Sequence, residues 1–92
     1  MAVKFPIEDL LGSKACIKIL KTLIKEEYLN ITSIITKSTL NHRSTLKYLS
    51  FLKICNLIQE KKYGRIKMYR YNTTNFKASI LKKLIEIWEN ID

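Results

Sequence analysis

Ninety-two residues are expected to make one domain, with an apolar core large enough to exclude any need for metal or disulfide staples. An apolar fraction of 47% excludes a disordered polymer, and two cysteines exclude a disulfide framework. The net charge of +9 is concentrated, because residues 37–70 carry nine basic side chains against one acid while the remaining 58 residues are almost neutral.

In chain order, Pro6 marks the start of a short helix over Ile7–Leu11, and Gly12 is expected to stop it in a left-handed conformation. Ser13 caps a core helix predicted over 13–27. There Cys16, Ile19, Leu20, Leu23 and Ile24 recur at three- and four-residue spacing, while Lys14, Lys18, Lys21 and Lys25 fall elsewhere on the cylinder. Residues 28–31 read as a brief extended link. Thr32 then caps a short helix over 33–37 that buries Ile34 and, beside it, Ile35.

The following helix opens at Asn41, whose side chain can cap it, and completes a helix-turn-helix over 32–54. On a wheel of about 100° per residue with His42 at zero, Leu46, Leu49 and Leu52 fall at roughly 40°, 340° and 280° and define the buried side. Arg43, Lys47 and Ser44 fall at roughly 100°, 140° and 200°, so two cations and a hydroxyl face outward from the first two turns. Asn56 follows Cys55 where the chain leaves the helix, and asparagine tolerates the left-handed conformation of such an exit. Two runs rich in aromatic and aliphatic residues within 57–71 flank Gly64 and read as a β-hairpin of open register. Lys61, Lys62, Arg65 and Lys67 gather with Tyr63 toward its tip.

The fold class expected is mainly α with a small β-hairpin (α+β), a winged helix-turn-helix. A basic helix followed by a basic hairpin is the layout that such a fold uses to dock on duplex DNA, and its local positive field attracts a polyanion. The expected DNA-binding residues are Asn41, His42, Arg43, Ser44, Lys47 and Tyr48 on the helix and Lys61, Lys62, Tyr63, Arg65 and Lys67 on the hairpin. The first group is placed to meet base edges, the second to meet phosphates or the minor groove. A solvated basic face, an anionic membrane surface or an edge hairpin guarded by lysines each accounts for part of the pattern. No long apolar run, secretion signal or lipidation motif accompanies it, so the expected setting is a reducing cytoplasm and no membrane.

Residues 10–72 resemble the small single-domain winged-helix regulators of the broad ArsR and MarR type, members of which are common in archaea. The likeness rests on Leu49-Ser50-Phe51-Leu52-Lys53 followed by Asn56-Leu57-Ile58, similar to the family's helix exit, and on Lys62-Tyr63-Gly64-Arg65 for the wing. It implies selective operator binding by a homodimer, with Arg43, Ser44 and Lys47 in base-reading positions. Thr39 stands where many helix-turn-helix motifs have glycine, and Asn56 replaces the glycine usual at the helix exit. ArsR-type metal sensors carry closely spaced thiols on the recognition helix, a signature missing here. Cys16 and Cys55 read instead as small core residues, and the only histidine, His42, lies on the candidate DNA face. No nucleophile–base set, paired carboxylates or phosphate-cradling glycine loop is present, so no enzymatic activity, cofactor, metal or small-molecule ligand is expected.

The last helix, predicted over 75–91, carries Ile80, Leu81, Leu84, Ile85, Trp88 and Ile91 as an apolar stripe wider than three helices and a hairpin would cover. Ile80, Leu84, Trp88 and Ile91, with Val3 and Phe5, are the expected dimer interface, pairing with the same surface of a second chain about a two-fold axis. The simpler alternative is a helix that only closes its own domain. The function expected is selective duplex DNA binding by a homodimeric transcription regulator. A non-specific architectural protein and a protein-interaction winged helix of the transcription machinery are the alternatives.

Overall fold

The computed structural model describes residues 6–90; Val3, Phe5 and Ile91, expected at a dimer interface, lie outside the described residues. The elements run α1 (Ile7–Leu11), α2 (Lys14–Lys25), β1 (Leu29–Asn30), α3 (Ile31–Ser38), α4 (His42–Ile54), β2 (Ile58–Tyr63), β3 (Ile66–Tyr71) and α5 (Phe76–Asn90). Short polar side chains begin the helices by accepting from backbone N–H groups that have no partner within the helix. Ser13 Oγ accepts from Cys16 N at 3.2 Å, Asn30 Oδ1 from Ser33 N at 2.9 Å, and Asn41 Oδ1 from Ser44 N at 2.7 Å. At α5, Asn75 Oδ1 accepts from Lys77 N at 2.9 Å and Ala78 N at 3.3 Å.

Three features differ from the sequence-based expectation in this first half. The cap of α3 is Asn30 rather than Thr32, so the helix starts earlier. The two residues before it form a strand, not a link: Leu29 pairs with Tyr69 and Asn30 with Met68, making an antiparallel sheet of order β1-β3-β2. A two-residue strand has no room to show alternation, and only the partner β3 reveals it. Gly12 also differs. Its φ of −75° is right-handed, and a side chain there would meet Glu8 O at 2.6 Å, so close approach to α1, not a left-handed turn, requires glycine.

The core lies where α2 meets the other elements. Ile19, Leu20 and Leu23 of α2 pack with Ile34 of α3, Leu49 and Leu52 of α4, Leu57, and Ile58, Tyr69 and Tyr71 of the sheet. Cys16 and Cys55 are free thiols inside this cluster, and burial pushes both above their ordinary pKa. Among the described residues no three histidine, cysteine or acidic side chains come together as metal ligands, and no helix is long and apolar enough to cross a membrane.

The buried side of α4 is rotated from the expected one. Thr45, at roughly 300° on the wheel, is fully buried with Leu49 and Leu52, whereas Leu46 is 44% exposed. Thr45 can enter the core because its hydroxyl donates to Asn41 O at 2.8 Å, which leaves its methyl to pack. Three left-handed residues set the connections around α4: Thr39 (φ 59°) before it, Asn56 (φ 63°) after it and Gly64 (φ 62°) at the hairpin turn. Thr39 and Asn56 therefore adopt the backbone that a glycine would supply. The α4 exit is further held by buried Asn72, whose Nδ2 donates to Asn56 O at 2.9 Å, while Asn75 Nδ2 donates to the same carbonyl at 3.0 Å. These bonds tie the end of the helix-turn-helix to the start of α5.

The tyrosines of β3 give the fold an alkaline limit. Burial, reinforced by the Glu60 carboxylate, pushes Tyr69 up to about 12, and burial with Glu86 nearby does the same for Tyr71, whose hydroxyl donates to Ala78 O. Folding raises both phenols, so their contribution is complete below the unfolded value of about 10 and disappears as pH climbs through about 12. Titration from pH 9 upward should show tyrosinate absorbance from these two residues rising together with loss of helical circular dichroism. Complete ionisation with the helical signal unchanged would contradict this placement.

Candidate nucleic-acid interface

The exposed arc of α4 runs from His42 at zero through Lys53, Leu46, Ser50, Arg43 and, in the last turn, Ile54 to Lys47 at roughly 140°. Asn41, His42, Arg43 and Lys47 are thus on the surface at the amino-terminal end of this helix. Ser44 and Tyr48 are only half-exposed, because they border the buried side. Lys47 Nζ stands 5.5 Å from the centre of the Tyr48 ring, so Tyr48 positions a cation rather than projecting with it. Leu46 and Ser50 belong to this arc and were not expected there. The signal for Leu46 was Thr45, which competes with it for the core and wins.

The register of the hairpin sorts its cations by face. Gln59 faces Arg70, Glu60 faces Tyr69, Lys61 faces Met68, Lys62 faces Lys67, and Tyr63 faces Ile66. Alternation then puts Lys62 and Lys67 on the same side of the ribbon as Glu60, and Lys61 on the other side with Tyr63 and Ile66. The expected single cluster at the tip is therefore split in two. Arg65 sits in the turn between them.

Pairing separates the cations further. Glu60 Oε2 accepts from Lys53 Nζ at 3.2 Å, and its Oε1 lies 3.9 Å from Lys67 Nζ. Burial alone would raise the Glu60 carboxyl, but hydrogen bonds from Lys53 and Tyr69 and the charges of Lys53 and Lys67 outweigh it and hold the group below its ordinary range. Lys37 is drawn to Glu26 at 3.2 Å, beside the cleft between α2 and α3, and Arg70 donates to Tyr28 Oη at 2.8 Å. Arg43, Lys47, Lys61, Lys62 and Arg65 make no ion pair among the described residues. Of the nine cations in this segment, only Lys37, Lys53 and Lys67 are paired with an acid among the described residues; these five and Arg70, which meets the neutral Tyr28 hydroxyl, keep their charge, and the five are exposed on α4 or the hairpin.

A second surface is apolar. Ile80, Leu84 and Trp88 are exposed on α5, as are Phe76 and Ile87, which sequence reading did not single out. Leu81 is buried and Ile85 half-buried, so one edge of the stripe closes the domain while the other remains open. Ile80 and Leu84 join Ile7, Leu10 and Leu57 around a groove of about 270 Å³. The Lys21–Glu89 ion pair fastens α5 to α2 on its other side.

No family model and no curated protein sequence matches the chain. Solved structures do. HlyU from Vibrio cholerae N16961 superposes with a TM-score of 0.76 at 13% identity, over 89% of this chain and 86% of that one. The transcriptional repressor PagR of Bacillus anthracis gives 0.70 at 23% identity, over 84% and 85%. The homodimeric winged helix-turn-helix DNA-binding domain (fragment 1-100) Mb0332 from Mycobacterium bovis, a possible ArsR-family transcriptional regulator, gives 0.72 at 19% identity, over 91% and 75%. With three helices around α2, a helix-turn-helix of α3 and α4, and a β2–β3 wing, the chain has the winged helix-turn-helix fold.

Proposed function

We propose that the chain binds duplex DNA selectively as a homodimeric transcription regulator, with α4 in the major groove and the β2–β3 wing on flanking phosphates or minor groove. The observation that carries this reading is the exposure of Arg43 and Lys47, unpaired with any acid among the described residues, on the first turns of α4. Those turns are the part of a recognition helix that reaches base edges. PagR is described as a transcriptional repressor and Mb0332 as a homodimeric DNA-binding domain, and the same roles suit this chain. A two-fold pairing through Ile80, Leu84 and Trp88 would set two α4 helices about one DNA turn, roughly 34 Å, apart on a palindromic site. Such a protein binds rather than catalyses, and the cytoplasm, where both thiols stay reduced, is its setting.

Selection from random duplexes at two salt concentrations tests the reading. One enriched palindrome is expected, and on it Arg43→Ala should cost about 1 to 3 kcal/mol while relaxing selectivity at the base it contacts. Lys62→Ala should weaken enriched and random duplexes alike and reduce the salt slope by about one. No salt-sensitive binding near 0.1 M salt would instead favour a protein partner, and binding without enrichment would favour an architectural role.

A further inference from the structure

We infer that Leu46 reads the C5-methyl group of a thymine in the target duplex. The inference rests on the proposed DNA binding and adds a base identity to it. Leu46 is flanked on the exposed arc of α4 by His42, Arg43, Lys47 and Ser50, and its side chain remains 44% exposed. An apolar side chain there can neither bind a phosphate nor exchange hydrogen bonds with a base edge. In the major groove the apolar group at a base edge is the thymine methyl, so this is what a leucine at that place can recognise.

Isolation separates Leu46 from a protein-docking surface. The apolar residues of α5 follow one another at three- and four-residue spacing and adjoin Ile7, whereas the wheel neighbours of Leu46 are polar or charged. A contiguous apolar patch is the mark of a protein interface, and a single leucine among cations is not one. Ile54, also exposed on α4, lies at the far end of the helix, beyond the turns that enter a groove.

Arg43 precedes Leu46 by three residues, about 4.5 Å along the axis, against a base-pair step of about 3.4 Å. An arginine at such a site favours guanine through O6 and N7. The half-site should therefore hold a guanine read by Arg43 and, within one or two base pairs of it, the thymine read by Leu46.

Replacing each thymine of the selected duplex by uracil, one position at a time, removes the methyl and nothing else. One uracil position beside the guanine should lower wild-type affinity about three- to fivefold, the weight of one buried methyl group. Leu46→Ala should bind the thymine duplex that much more weakly and show no difference between thymine and uracil there. Circular dichroism checks that the variant remains folded. Wild-type binding indifferent to every uracil, or an undiminished uracil effect in Leu46→Ala, overturns the inference while leaving DNA binding intact. Tightening on cytosine methylation without a uracil-sensitive thymine overturns it in favour of 5-methylcytosine. Absence of duplex binding by the wild type overturns the underlying reading as well.

Discussion

Leu52→Ala is expected to lower the unfolding free energy by about 3 to 4 kcal/mol, whereas Leu46→Ala, on the same helix, should change it by less than about 0.5 kcal/mol. Leu52 is 0% exposed, between α2 and the sheet, so truncation removes packed atoms and leaves a cavity that a tight core closes only in part. Leu46 leaves nothing behind but solvent, and alanine is the better helix former. For a domain of this size the first change lowers Tm by roughly 15 °C or more, so thermal and urea unfolding followed by circular dichroism resolve it easily. The comparison also reports on the site, because the rotation that buries Leu52 and Thr45 is what turns Arg43 and Lys47 outward. Equal losses from both substitutions would mean that Leu46 is inside after all, and the cationic arc would have to be redrawn.

That rotation shows what the sequence could and could not convey. Leu49 and Leu52 were legible as an anchor because their spacing matches the helical repeat, and Asn41 and Ser13 were legible as caps because their side chains suit the task. Apolar character alone does not rank Leu46 against Thr45; that choice depends on a hydroxyl satisfied within the helix and on the shape of the neighbouring α2 and sheet. Strand β1 stayed hidden for a similar reason. Leu29 and Asn30 acquire their strand character from Tyr69 and Met68, about forty residues later in the chain. The wing was visible as two β-rich runs about a glycine, but the faces of its lysines depended on register, which only the turn and the pairing with Tyr69 and Tyr71 establish. Charge was legible as a total and misleading in detail. Lys37, Lys53 and Lys67 raise the count in the segment, yet each is paired with Glu26 or Glu60.

The strongest functional loss is expected from Leu84→Asp on α5. Leu84 lies midway along the open apolar stripe, with Ile80 one turn before it and Ile87 and Trp88 one turn after, and it is 49% exposed. In a two-fold interface each substitution occurs twice, so the variant would place two carboxylates in an apolar seam at a cost in desolvation. Sedimentation at micromolar concentration should show a dimer for the wild type and a monomer for the variant. Affinity for the full palindrome should fall about 10²- to 10⁴-fold, since the second half-site is no longer reached as an intramolecular step, while affinity for an isolated half-site stays within about twofold. That split distinguishes loss of pairing from damage to α4. Trp88→Ala, at a position 74% exposed, should weaken the dimer without disturbing the fold. A wild type that is monomeric at these concentrations, with both variants binding the palindrome as it does, would leave α5 only the task of closing its own domain through Ala78, Leu81 and Ile85.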